Sequence, residues 1–301
     1  MNTSVKSSSM KILLAVDGSQ HALAAAQMLS DLPCFEQCQL TILMVIIPKL
    51  TSFNKFVDDV LAQTRKVMEI GEASIQTIKR FSTTAAEGVL EYAEETKPDL
   101  IVMGAKGLRA TMGILLGGTA QQVVEYAHCP VLIVRHPYKC IRTLLLLTDG
   151  SPFSLKAQEF ITRFPLPSGA AVQLCHVLPP EPTLDINTLA WPMAIDVPMF
   201  TPSPIEEAEL RKIAQAEHDL GYELLEKAET QLHAHQVQTK TPALLRGDAA
   251  TEILGHIHKN NIDLVVSGSR GLSQVQSWLL GSVSRKILHY APCSVLVVRG
   301  E

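Results

Sequence analysis

Short apolar runs alternate along this chain with longer stretches whose apolar residues recur every three or four positions. In the C-terminal half, RTLLLLT (from Arg142) reads as a buried strand, and the turn DGS follows it. A helix is predicted from about Ser151 to Arg163, then the strand AVQLCHVL from Ala171. A long polar, periodic helix covers about Pro204 to His235, and TKTPALLRG is the next strand. AATEILGHIHK is an amphipathic helix and DLVVSG a buried strand. A further helix starts near Gly281, and SVLVVR closes the unit. Buried strands alternating with helices predict right-handed βαβ units and a parallel sheet covered on both faces. The N-terminal half has the same order, its third strand less marked around Ser74 to Ser82.

The two halves are copies. MGAKGLRATMGILLGGTAQQVVEYAHCPVLIVR (from Met103) and SGSRGLSQVQSWLLGSVSRKILHYAPCSVLVVR (from Ser267) share 13 of 33 positions without a gap. KILLAVDGSQHALAAAQ (from Lys11) likewise resembles RTLLLLTDGSPFSLKAQ. The expected organisation is a flexible polar tail over 1–10, a first domain over 11–136, a linker over 137–141 and a second domain over 142–301. Each domain is expected to be a doubly wound α/β unit with a five-stranded parallel sheet. The second is longer by about 32 residues. Its insertion, about 179–204, holds seven prolines with Trp191 and Phe200, a density that forbids a regular helix. A lid over a site, a packed surface excursion and an oligomer contact are the readings open for it.

Composition narrows the classes. Hydrophobic residues are 47% of the chain, enough for a large core, and a net charge of −4 argues against a nucleic-acid or anionic-membrane surface. The longest apolar runs are strand-length, too short for a bilayer, and the N-terminus lacks the apolar stretch of a signal peptide. Six scattered cysteines, including the Cys34 and Cys38 pair, form neither a metal framework nor a disulfide ladder, so reduced thiols in a cytoplasm are expected. His256 and His258 are two apart on a helix and face different ways; no metal site is expected.

An open sheet of this kind binds ligands beyond the carboxyl ends of its strands, where strand order reverses. With order 3-2-1-4-5, that crevice lies between the first and fourth strands, in the second copy between Asp149 and Gly268. There GSRGLSQVQSWLLGSVS begins. Gly268 and Gly271 bracket a turn holding Ser269 and Arg270. Such a turn can aim successive N–H groups into an anion nest that phosphate oxygens approach closely. Gly281 opens a helix whose first amides, at Ser282, Val283 and Ser284, and positive dipole end attract phosphate. The Ser282 and Ser284 hydroxyls can donate there, or one can cap the helix. Asp149 suits a ribose hydroxyl or a metal-bound water beside a triphosphate, or an Asp-Gly turn or helix cap. Arg270, matched by Lys106, can lie over the phosphates or stand as a solvated charge. The segment is neither GxxxxGK[ST] nor GxGxxG. Two readings stand on the residues alone: an anion or nucleotide site, or glycines used only for turns and close packing.

The pattern G-x2-G-x9-G-[ST] at Gly268, Gly271, Gly281 and Ser282, with DGS, HVL and SVLVVR closing its strands, resembles the universal stress protein family. The likeness covers nearly the whole chain as two tandem domains. It implies an adenine-nucleotide α-hydrolase-like fold and a stress-response protein binding ATP or AMP, with Mg2+ beside a triphosphate. It also implies Asp149 on the ribose or adenine side, the Val177 backbone at the adenine, and Gly268 through Gly271, Gly281, Ser282, Val283 and Ser284 at the ribose and phosphates. Such proteins are typically cytoplasmic dimers that pair through their last strands. Here VLIVR and VLVVR can pair within one chain by a pseudo-twofold, covering two apolar edges, and a homodimer is compatible with that. Beyond the adenine nucleotide no protein partner is implied, and neither nucleic acid nor membrane is expected.

The first copy departs from the pattern. Gly104, Gly107 and Gly117 are kept, but Gly118 stands at the hydroxyl position, followed by Thr119, and Ala120 replaces Ser284. Asp17 and Val45 correspond to Asp149 and Val177. Each missing charge-assisted hydrogen bond is worth about 1.5–3 kcal/mol, so the second domain is expected to carry the tighter site. Sensing or regulation, with slow hydrolysis at most, is the leading expectation. A scaffold that binds no nucleotide and a slow ATPase are the alternatives.

Overall fold

The central strands of the chain are short apolar runs buried on both faces. β1 (Lys11–Val16), LIVMG in β4 (Leu100–Gly104) and VLIV in β5 (Val131–Val134) expose almost nothing beyond their end residues, as strands between two helical layers must. β2 (Gln39–Ile46) and β3 (Ser74–Phe81) complete the first domain's sheet, joined by α1 (Gln20–Ser30), α2 (Asn54–Val67), α3 (Ala85–Thr96) and α4 (Gly118–Tyr126). The second domain repeats the order: β6 (Thr143–Leu147), α5 (Pro152–Arg163), β7 (Ala171–Leu178), α6 (Pro204–Ala234), β8 (Thr239–Arg246), α7 (Ala249–Asn260), β9 (Leu264–Gly268), α8 (Ser282–Tyr290) and β10 (Ser294–Val298). This computed structural model describes residues 10–33, 38–48, 54–68, 74–108, 115–181, 204–272 and 280–299. The polar tail before Met10, Cys34 and most of the proline-rich insertion, with its lid reading, lie outside the described residues.

The two expected sheets are one. Strand order is β3-β2-β1-β4-β5-β10-β9-β6-β7-β8. Each half is parallel in the order 3-2-1-4-5, and the halves join where β5 and β10 pair antiparallel through Leu132 and Leu296. Neither last strand presents an open edge. The outer edges are β3 and β8, and Pro242 sits in edge strand β8 beside a register irregularity between Gln173 and Cys175, where a missing N–H is tolerated.

The pseudo-twofold relation puts like helices on like faces. One core gathers α1, α2, α5 and α6 against residues such as Leu14, Leu146 and Leu296; the other gathers α3, α4, α7 and α8 against Leu13, Leu145 and Val295. Equivalent aspartates hold the strand starts: Asp99 accepts the Lys11 amide at 2.7 Å and Asp263 the Thr143 amide at 2.9 Å. The linker passes from β5 to β6 with Tyr138 and Ile141 packed on the first core.

Helix starts divide into two kinds. Ser19, Thr84, Ser151 and Asp248 cap α1, α3, α5 and α7 with side-chain oxygens, which satisfies amides that a helix start otherwise leaves bare. α4 and α8 begin at Gly117 and Gly281, which offer no cap side chain.

Candidate ligand site at the strand ends

The reversal of strand order places the ends of β1 and β4 side by side, with Ala15 opposite Met103, and those of β6 and β9 likewise. Past the first of these pairs the chain diverges and leaves a cavity of about 300 Å3, at the lower end of the range for small-molecule pockets. Its apolar wall comes from Leu43, Val45, Val89, Met103 and Leu116; its polar side comes from Asp17, Lys106 and the backbone of Gly107, Gly117, Gly118 and Thr119. A carboxylate, an apolar slot and an uncapped helix start thus face one volume. The sequence had not singled out the apolar wall, because its residues read simply as strand and helix core.

Asp17 is held on both oxygens. Oδ1 accepts the Ser19 amide at 3.0 Å, and Oδ2 accepts the Leu108 amide at 3.0 Å, tying β1 to the loop after β4. In the second domain, Asp149 Oδ1 accepts the Ser151 amide at 3.0 Å, with Gly150 in the left-handed region at φ +76. The helix cap is therefore Ser151 and the aspartate makes the turn. Carboxylate lone pairs remain for a hydroxyl ligand.

The loop glycines serve close approach. None of Gly104, Gly107, Gly117, Gly268, Gly271 or Gly281 has a positive φ. A Cβ at Gly268 would stand 2.7 Å from the Phe153 backbone, so this residue lets β9 meet the first turn of α5; Gly104 meets Ala22 in the same way. A Cβ at Gly271 would stand 2.6 Å from Asp149 Oδ2, and one at Gly107 2.7 Å from Asp17 Oδ2. The Ser269 amide continues the sheet to Val298 O at 2.9 Å, and the Gly281 amide closes on Ser269 O at 2.8 Å. Those two N–H groups already have partners inside the protein.

The start of the helix offers further amides of the kind that suit an anion. The first backbone bond of α8 is Arg285 N–H to Gly281 O, which leaves the amides of Ser282, Val283 and Ser284 without an intrahelical acceptor. α4 starts alike, with Gln121 N–H to Gly117 O. Ser282, at the first helical position, is exposed beside these amides. Ser284 is corrected: its hydroxyl is buried, donates to Gly268 O at 2.8 Å and lies 2.9 Å from Ser267 Oγ. The Arg270 guanidinium lies over the Phe153 ring at 5.2 Å and lines the groove between the domains. Val177 packs at the margin of the second core, as Val45 does in the first domain.

Two residues escaped the sequence reading. Arg135 and Arg299, at the ends of β5 and β10, each cap the last helix of the other domain. Arg299 donates to Val124 O at 3.1 Å and to Glu125 O at the end of α4; Arg135 donates to Leu288 O at 2.8 Å at the end of α8. Their shared position in the two copies was the available signal. Among the described residues no group of three or more His, Cys, Asp or Glu could hold a metal, and no helix is long and apolar enough to cross a membrane. Burial pushes the thiols of Cys129, Cys175 and Cys293 up to about 12, so they stay protonated.

Comparison with known proteins gives the geometry a lineage. The model of the universal stress protein family matches residues 9–135 and again 141–299. A universal stress protein of Methanocaldococcus jannaschii is 40% identical over 81 residues, a match spanning 27% of this chain and 47% of that protein. One of Mycolicibacterium smegmatis is 25% identical over 310 aligned positions, 96% of each chain. A crystal structure of a universal stress protein from Archaeoglobus fulgidus superposes with a TM-score of 0.60 at 19% identity, covering 96% of both chains, a likeness of fold.

Proposed function

The chain belongs to the universal stress protein family, and on that premise we propose that it responds to stress by binding an adenine nucleotide, ATP or AMP, at the carboxyl ends of its strands. The observation that carries this is the cavity in which Asp17, an apolar slot and the uncapped start of α4 converge. An adenine suits the slot beside Val45, a ribose hydroxyl suits the aspartate, and a phosphate suits the bare amides. Asp149, Val177 and α8 repeat the arrangement in the second domain, and Ser282 adds a hydroxyl there that Gly118 cannot supply. We place the tighter site in the second domain for that reason. Mg2+ would arrive with a triphosphate, held by phosphate oxygens and its own waters.

The role is sensing or regulation, with turnover below roughly 1 s⁻¹. Asp17 already accepts two backbone amides, an arrangement suited to positioning. Mass analysis of small molecules released by denaturing freshly purified protein tests the reading. ATP or AMP is expected at up to one or two per chain. Release of none, with no thermal shift on adding either nucleotide, would favour a scaffold.

A further inference from the structure

Arg135 joins more than two elements. Its Nε donates to Cys293 O at 3.0 Å and its Nη2 to Leu288 O at 2.8 Å, both in the second domain. Its Nη1 turns back to its own domain and donates to Leu115 O at 2.6 Å. Leu115 closes the Gly107-to-Gly117 loop, and its neighbour Leu116 lines the first domain's cavity. Leu288 sits at the far end of α8, the helix whose first amides face the second domain's site. One side chain therefore bonds to the ligand loop of one domain and the ligand helix of the other.

Chemistry makes this tie stiff. Arg135 is 8% exposed, and every hydrogen bond its side chain makes is to a backbone carbonyl. A guanidinium is planar, so its donors move together. Carbonyls at a helix C-terminus carry the negative end of the dipole and favour a cation. Swinging Leu115 O away leaves a buried donor unmatched unless the guanidinium follows, and following loosens its hold on α8. α8 spans nine residues, a short helix of the rigid kind that can carry a displacement from one end to the other. The equivalent Arg299 bonds α4 through Val124 O and Glu125 O.

We infer that Arg135 is a positioning residue shared by the two ligand sites, so that a nucleotide entering the first domain's cavity alters the order of α8 and the affinity at the second. This rests on the nucleotide reading of the first domain's cavity and of the matching strand ends in the second.

The test is hydrogen exchange on the full chain with ATP as the probe. Gly271→Val disables the second site, so any response of α8 must originate in the first. Saturating ATP should slow exchange in residues 115–120 and also in residues 285–290, the latter by about fivefold, the low end of typical site-to-site coupling. Adding Arg135→Met should keep the first response and abolish the second. Arg135→Lys, which keeps the charge without the fork, should restore part of it. Arg299→Met, an equal disturbance of the seam, should leave the α8 response intact, which separates coupling from general loosening. Protection of 115–120 without any change in 285–290 would overturn the coupling and spare the nucleotide reading. No protection at either place in Gly271→Val or in the unaltered protein would overturn both. The Gly271→Val measurement decides even if Arg135→Met fails to fold.

Discussion

Asp17 and Gly107 are packed so closely that a side chain at 107 would begin 2.7 Å from Asp17 Oδ2. Asp149 and Gly271 repeat the contact at 2.6 Å. Real Cβ atoms do not approach an oxygen so closely, so glycine at these positions is what allows the aspartate to occupy the crevice. The carboxylate then stands where strand order reverses, beside the loop that leads to the uncapped helix.

Gly271→Val should therefore act on the ligand more than on the fold. The valine must displace Asp149, removing a charge-assisted hydrogen bond to the ribose. ATP binding at the second site should be abolished, because the displaced carboxylate and the valine crowd the crevice as well as breaking that bond. Overpacking costs about 1–3 kcal/mol, a fall in Tm of roughly 2–12 °C. Calorimetry and thermal unfolding read the two effects separately; unchanged ATP affinity would remove Asp149 from the site.

The difference between the domains narrows to one hydroxyl. A Cβ at Gly118 meets nothing within 4 Å, so Gly118→Ser fits without strain and adds the group that Ser282 supplies. It should tighten phosphate-dependent binding in the first domain by about 10–100-fold. Ser282→Gly should weaken the second domain by a similar factor. Titration with ATP and with adenosine distinguishes the phosphate contribution; equal effects on both ligands would contradict it.

Ser284→Ala should behave oppositely. Its hydroxyl joins Gly268 O and Ser267 Oγ inside the protein. Removing it should cost about 1–3 kcal/mol in stability and leave ATP affinity within about twofold once the protein is folded. Denaturant unfolding alongside ATP titration checks this.

His21 should make the first domain sensitive to acid. Its Nδ1 accepts the His136 amide at 3.0 Å. Burial lowers its pKa below the ordinary 6.5, with nearby Lys106, His136 and Arg135 acting the same way and a backbone hydrogen bond with Val134 opposing them. A depressed folded value means that the stabilising contribution is complete above about pH 6.5 and is lost as pH falls through the lower folded value. The second domain has Phe153 at this place, so His21→Phe is the natural control. Its Tm should gain on that of the unaltered protein between pH 7.5 and 5.5; parallel curves would contradict the assignment.

The duplication, the strand order and the crevice were legible because buried parallel strands leave uninterrupted apolar runs and because two copies report each element twice. What was misread is local. Ser282 and Ser284 are two residues apart on a helix, about 200° around its axis, so both could not face one phosphate; Ser284 points to the sheet, as Ala120 does. Gly268 was read as loop chemistry, yet it is the close contact with Phe153 that requires it. A bare sequence does not separate glycine for space from glycine for a left-handed turn. Arg135 and Arg299 were visible as matched residues, but their partners lie across the antiparallel β5–β10 seam, far away in sequence.

The most direct measurement is an ATP titration by calorimetry of the full chain beside its Gly107→Val/Gly271→Val variant. Saturable binding in the first, with one tight and one weaker site per chain, and none in the second is the predicted result. No saturable heat in the unaltered protein, or the same isotherm for both, would contradict a nucleotide site at the strand ends.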